Sequence, residues 1–201
     1  MIPKDKDTTK INRLRVINKY ETDYNFILKY FWPKSATKLS DKNKMLGENQ
    51  WGTKPLCSAE HPSLLEEIIT DIHCITCRNL AKLKNDAIAC FDRMVTNLTT
   101  LCCRLHNLPE LACKPQSSTL NTMKYKIITV ICTSQQSYYT TKQKPIHGTG
   151  QVSGASRSNW IFTSVPMMDT IEKICEGYTI YSPDKKITWV KHILGLVDDA
   201  R

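Results

Sequence analysis

At 201 residues the chain is long enough to bury one ordinary core, or one domain with an appendage. Its 41% hydrophobic and 23% charged residues exclude an intrinsically disordered chain and place it with globular proteins. A net charge of +9, with an isoelectric point near 9.1, favours a polyanionic partner.

In chain order, residues 14–17 read as a short strand. A helix follows over YETDYNFILKYFW, which Pro33 is expected to terminate. Residues 35–61 are polar and turn-rich, with Gly47, Gly52 and Pro55. A long amphipathic helix is predicted after Pro62. Its Leu64, Leu65, Ile68, Ile69, Ile72, Ile75 and Leu80 recur at threes and fours, the pattern of a core-facing stripe. KLKNDAIACFDRM reads as a short strand running into a turn, residues 95–105 as a helix, and Pro109 as the start of another.

KYKIITVICTS is β-branched and apolar, the composition of a buried strand, and SYYTTKQKPI is placed to pair with it as a hairpin. Gly148, Gly150 and Gly154 punctuate a loop that opens a helix from about residue 155 to 174. Short strands around 177–181 and 187–197 close the series. The order of strands and helices fits an α+β sandwich of the split βαβ (ferredoxin-like) kind with a mainly helical N-terminal extension.

Charge and cysteine are unevenly used. Residues 1–54 hold +6 of the net charge, twelve Lys or Arg against six Asp or Glu. Such a face serves as solvated surface or as a nucleic-acid site, and charge alone leaves both open. Nine cysteines show no framework spacing, MIPKDKDTTK is charged throughout, and no apolar stretch approaches a membrane span. The expectation is an intracellular chain, cytoplasmic or nuclear and not secreted, with reduced thiols and no membrane. His73, Cys74 and Cys77 in HCITC form one zinc-like pair, but a second C-x-x-C or an H-x-x-x-H is missing.

The acidic residues raise a sharper question. Asp198 and Asp199 follow an apolar run and are either an exposed polar tail or half of a metal site. The other half would lie at the end of a central strand, where NDAIACFDRM offers Asp86 and Asp92. Asp86 falls near the strand's carboxyl end; Asp92 suits a helix start, where a cap or ion-pair role competes with a ligand role. Three carboxylates in one pocket can hold two Mg²⁺, roughly 3.5–4 Å apart, for an in-line displacement at phosphorus. Spacing alone leaves this as one constellation among several.

DAIACFDRM, GTGQVSGASRSNW and LVDD, in that order, resemble motifs A, B and C of a reverse transcriptase palm, most like those of non-LTR (LINE-type) retrotransposon enzymes. MIPK…NRLRVINKYETDYN is similar to the fingers segment that precedes the palm. QWGTKPLCSAEHPSLLEEI resembles the family's Q-x-G-F-x-P-G-R-S stretch and the helix after it. The resemblance covers nearly the whole chain. It implies a right-hand polymerase palm with a helical fingers region, divided as residues 1–82 (fingers-like) and 83–201 (palm-like).

The function implied is RNA-directed DNA polymerase activity, a two-metal deoxynucleotidyl transfer acting on an RNA template, a DNA primer and dNTPs. Asp86, Asp198 and Asp199 match the catalytic metal ligands for two Mg²⁺. Phe91 matches the bulky residue that packs under the incoming sugar and selects deoxynucleotides. Gln151 matches the motif B loop that touches nucleotide and template. Arg15 and Lys4 match the fingers cations that face the triphosphate, Arg15 through bidentate contacts and Lys4 as a point charge.

Departures from the pattern bear on activity. Val152 stands where the family has glycine, which would cost about 1–3 kcal/mol if positive φ is needed. Arg157 stands where the family usually has proline, and TKPLCSA replaces F-x-P-G-R-S, losing a glycine and an arginine. Only Ala200 and Arg201 follow the aspartates, so the expectation is a domain truncated just after motif C, without the motif D lysine or the thumb. The alternative is a catalytically inactive remnant that at most binds nucleic acid; an unrelated structural or interaction domain is a third reading.

Overall fold

The computed structural model of this chain describes residues 2–3, 14–15, 19–52, 54, 56–58, 60–82, 90–129, 131–150 and 152–192. Two short strands, β1 (Ile2–Pro3) and β2 (Leu14–Arg15), pair antiparallel. Helix α1 (Thr22–Phe31) runs without a break into a π-helical segment (Trp32–Thr37) and then α2 (Lys38–Lys42).

Pro33 was expected to stop α1, and it does not. It sits in the first positions of the π-helical segment, where the wider turn absorbs the missing N–H. The Trp32 N–H still reaches the Leu28 carbonyl. Thr37 Oγ1 donates to the Trp32 carbonyl at 3.1 Å, supplying a hydrogen bond across the disturbed turn.

Helix α3 (Glu60–Thr76) forms as its periodicity predicts. Its stripe is not a core stripe, however: Ile69 is buried together with Pro62 and His73, while Leu64, Ile68 and Ile75 are exposed. Threefold and fourfold spacing reports amphipathicity; it does not report whether a partner covers the face. The helix ends with Cys77 in the left-handed conformation, its N–H on the Cys74 carbonyl and the Arg78 N–H on that of His73. These are the two bonds of a Schellman cap.

The short turn α4 (Cys90–Arg93) leads to α5 (Thr96–Leu105) and α6 (Glu110–Thr122), close to their expected spans. Asn107 takes φ +59 between them, and the Leu108 N–H bonds the Cys103 carbonyl at 3.2 Å, so Leu108 is folded back into the core. The hairpin β3 (Lys124–Tyr125) with β4 (Tyr138–Tyr139) forms in the predicted region. It is not a buried strand pair. Ile128 is exposed and Ile131 is 94% exposed, because β-branched composition sets a preference for extended backbone and not for cover.

Helix α7 (Ser156–Ile174) is the axis of the core. The π-helical segment, α4 and α5 all pack on it, and α6 packs on α5. Phe162 and Ile161 are wholly buried on α7, with the Trp32 ring centroid 6.2 Å from that of Phe162. Ser156, Ser158 and Ser164 are small enough to let neighbouring backbone approach, and each is buried. Strands β5 (Tyr178–Tyr181) and β6 (Thr188–Lys191) follow α7 as an antiparallel hairpin.

The fold is therefore mixed α+β, helix-rich, with three separate two-stranded antiparallel sheets among the described residues. The expected split βαβ palm sheet is not assembled among them; residues 83–89 and the end of the predicted 187–197 strand lie outside the described residues. Among the described residues no helix is long and apolar enough to cross a membrane. All nine cysteines are free thiols.

Candidate active site

The glycine-punctuated loop ahead of α7 is fastened at both ends. Its first residues are hydrogen-bonded to the α4 turn: the Gly148 N–H to the Met94 carbonyl at 2.8 Å and the Thr149 N–H to the Phe91 carbonyl at 2.9 Å. Gly148 has φ +100, and a Cβ there would lie 2.7 Å from the Asp92 Cα, so any side chain is excluded both by conformation and by space. Gly150 also takes positive φ, at +69.

Residues from the segment before and within α1 close over the other side. Tyr20 donates its hydroxyl to the Thr149 carbonyl at 2.6 Å. Burial, with Tyr125, Tyr24 and Asp92 nearby, pushes that phenol well above its ordinary value, so it stays a donor at any physiological pH. Asn25 accepts from the Gly154 N–H at 2.7 Å and offers its amide N–H to the Val152 carbonyl at 3.4 Å. A Cβ on Gly154 would come 2.6 Å from the Lys29 backbone nitrogen, so this glycine permits loop and helix to touch. Ser156, at the start of α7, reaches back to the Thr149 and Gly150 carbonyls.

The fingers-like stretch docks on the same helix. Gln50 is buried and donates to Ser164 Oγ at 2.9 Å, while its Oε1 accepts the Gly52 N–H at 3.2 Å. Thr37 Oγ1 lies 2.8 Å from Ser158 Oγ one turn away from the loop. Leu56 stands at the place of the glycine in the family's F-x-P-G-R-S pattern; it adopts φ +64 and is 100% exposed. The backbone thus keeps a conformation suited to glycine while the sequence supplies leucine.

Of the sequence-derived site residues, Phe91 is described in full. It is 3% exposed, inside the core, with its ring edge-on to Trp160 at 6.4 Å between centroids. Its carbonyl accepts the Thr149 N–H of the loop. Arg15 is described by its backbone, which pairs with Ile2 on β1. Asp86, Asp198, Asp199, Lys4 and Gln151 lie outside the described residues. Val152 takes no positive φ and is 43% exposed, so the strain expected for a β-branched residue there does not arise. Arg157 is exposed in the first turn of α7.

The resemblance marked the stretch containing Tyr20 and Asn25 without singling these two out as the residues that hold the loop. Their signal is chemical: a tyrosine just before α1 and an asparagine in its first turn, one with a hydroxyl and the other with an amide able to both donate and accept. Among the described residues no group of three or more His, Cys, Asp or Glu could hold a metal ion. In the HCITC segment His73 is buried against the Tyr178 ring, at 4.5 Å between centroids, while Cys74 and Cys77 are exposed.

No protein-family model, curated protein or solved structure matches the chain.

Proposed function

We propose that this chain is the fingers and palm portion of an RNA-directed DNA polymerase of retrotransposon type. The observation that carries the reading is the pair of main-chain bonds from Gly148 and Thr149 to Met94 and Phe91. The two stretches that resemble motifs A and B are far apart in sequence and were identified by residue pattern alone. Their contact in space supports the assignment, since a polymerase palm needs these two motifs side by side. The docking of Gln50 on α7 supports it for the fingers-like stretch.

On this reading Asp86, Asp198 and Asp199 would hold two Mg²⁺, which supply the activation of a primer 3′-hydroxyl and the stabilisation of the leaving pyrophosphate. Gln151, in the loop preceding α7, would touch nucleotide and template. Lys4 and Arg15 would face the triphosphate. RNA template, DNA primer and dNTPs are the corresponding partners.

The burial of Phe91 favours a second reading, in which the chain is catalytically silent and retains nucleic-acid binding. A phenylalanine turned into the core packs the protein and does not bear on a sugar. Primer extension on an RNA template with Mg²⁺ and dNTPs separates the two. Extension that disappears in Asp86→Ala establishes the polymerase; no extension alongside salt-sensitive RNA binding establishes the silent form. Absence of both removes the family reading.

A further inference from the structure

Between Glu110 and Asp169 the sequence contains no Asp or Glu, against five lysines and one arginine. The β3–β4 hairpin lies in the middle of that stretch and carries four of the lysines in or beside it: Lys124, Lys126, Lys142 and Lys144. All four are exposed, and none is in an ion pair among the described residues.

The same ribbon displays two tyrosines. Tyr138 is 50% exposed and Tyr139 is 57% exposed. In the antiparallel register Lys124 stands directly opposite Tyr139, and Tyr125 opposite Tyr138. Side chains alternate along a strand, so Lys124, Lys126 and Tyr139 share one face. Tyr125 is half-buried, and Tyr24 of α1 is near enough to raise its phenol further after burial has done so. One face of the ribbon is thus tied to the body and the other is free. The turn after β4 is held by the Thr141 N–H on the Lys144 carbonyl and by the Lys144 N–H on Thr141 Oγ1, which presents Lys142 and Lys144 beside the ribbon.

We propose that this hairpin is a binding platform for single-stranded nucleic acid, with Tyr139 as the stacking surface for a base and the surrounding lysines tracking the phosphates. A tyrosine ring presented between cations fits a strand whose bases are unstacked, because every base has a π-face and every linkage a charge. The acid-free stretch removes the repulsion that an interspersed carboxylate would introduce. The proposal rests on the nucleic-acid part of the reading above and not on its polymerase chemistry. It adds a contact surface separate from the loop that abuts the α4 turn.

The test uses the full chain and a labelled oligonucleotide of mixed sequence, RNA and DNA, read by fluorescence anisotropy across a salt series. Tyr139→Ser is expected to weaken binding by about five- to a hundred-fold, and Tyr139→Phe to restore it, since the ring and not the hydroxyl stacks. The double change Lys124→Gln with Lys126→Gln is expected to lower the salt slope by about 1.4, two phosphate contacts' worth for a single strand. These positions are exposed, so unchanged thermal unfolding will show that the fold persists in each variant.

Equal binding by Tyr139→Ser overturns the proposal. So does competition by inorganic polyphosphate as effective as that by oligonucleotide, which would reduce the surface to bare charge. Preferential binding to phosphatidylserine vesicles, through the exposed Ile131 at the hairpin tip, overturns it in favour of a lipid surface. Loss of primer extension with the oligonucleotide behaviour intact would count against the polymerase reading alone.

Discussion

Asn25 and Gly154 are joined across 129 positions of sequence: the amide oxygen of one accepts the backbone N–H of the other at 2.7 Å. The contact is possible because Gly154 has no side chain to hold it off the Lys29 backbone. It fastens the loop before α7 to helix α1.

Gly154→Ala should therefore destabilise the fold by about 1–3 kcal/mol, the usual range for forcing a methyl group into closed packing. Asn25→Ala, which removes the acceptor without adding bulk, should cost about 1–2 kcal/mol. Urea unfolding of both variants checks this. A neutral Gly154→Ala would mean that loop and helix are not in contact.

Leu56 offers the opposite sign. It holds φ +64 while fully exposed, so it is strained and buries nothing. A left-handed residue with a Cβ costs about 1–2 kcal/mol, partly offset by the greater unfolded-state entropy of glycine. Leu56→Gly is expected to stabilise the chain by about 0.5–1 kcal/mol, seen as a raised midpoint of thermal unfolding. A lowered midpoint would refute the left-handed geometry.

His106 sets a pH dependence. Burial holds its imidazole below the ordinary value of 6.5, against the opposing pull of Asp169 and of the Phe162 carbonyl. That carbonyl is open to it because Pro166, four residues on, has no N–H to give. A depressed folded value means that the unfolded chain takes up the proton first. Stability is then complete above about 6.5 and declines as pH falls below it. Replacement by a neutral residue, His106→Gln, should flatten the fall in stability below about pH 6.5 relative to the parent chain. A slope unchanged by the substitution would assign the dependence to other groups.

The thiols divide by burial. Cys74, Cys77, Cys132 and Cys175 are exposed, whereas Cys90, Cys102, Cys103 and Cys113 are buried and Cys57 is intermediate. Labelling of the native chain with a thiol reagent should be fast at the four exposed positions and slow at the four buried ones, with all nine reacting in denaturant. Mass spectrometry of the labelled peptides identifies them. Rapid reaction at Cys103, on the α5 face that packs against α7, would contradict the core arrangement.

Much of the helical framework was legible in the residues. Val95 and Pro109 precede α5 and α6, and the glycines before residue 155 announce α7. Pro33 misled because a proline rule assumes α-helical spacing, and the chain widens its turn there instead. The stripe on α3 and the β-branched run after Tyr125 misled for a common reason. Local pattern encodes which face is apolar, but cover is supplied by distant parts of the chain. The candidate site was legible in part. Its glycines could be read as backbone needs, whereas the grip of Tyr20 and Asn25 depends on side-chain distances that no local pattern carries.

The widened turn at Trp32–Thr37 also fixes which way the following residues look. An extra residue in one turn advances everything after it by about 100° around the axis. Ala36, Thr37 and Ser40 thereby point inward and Leu39 outward. Regular α-helical winding over 32–37 with no residue removed would turn that set away from the core, whereas deleting one residue there would keep it facing inward. A proline that looks like a full stop in the text is, in three dimensions, the gear that times the next helix.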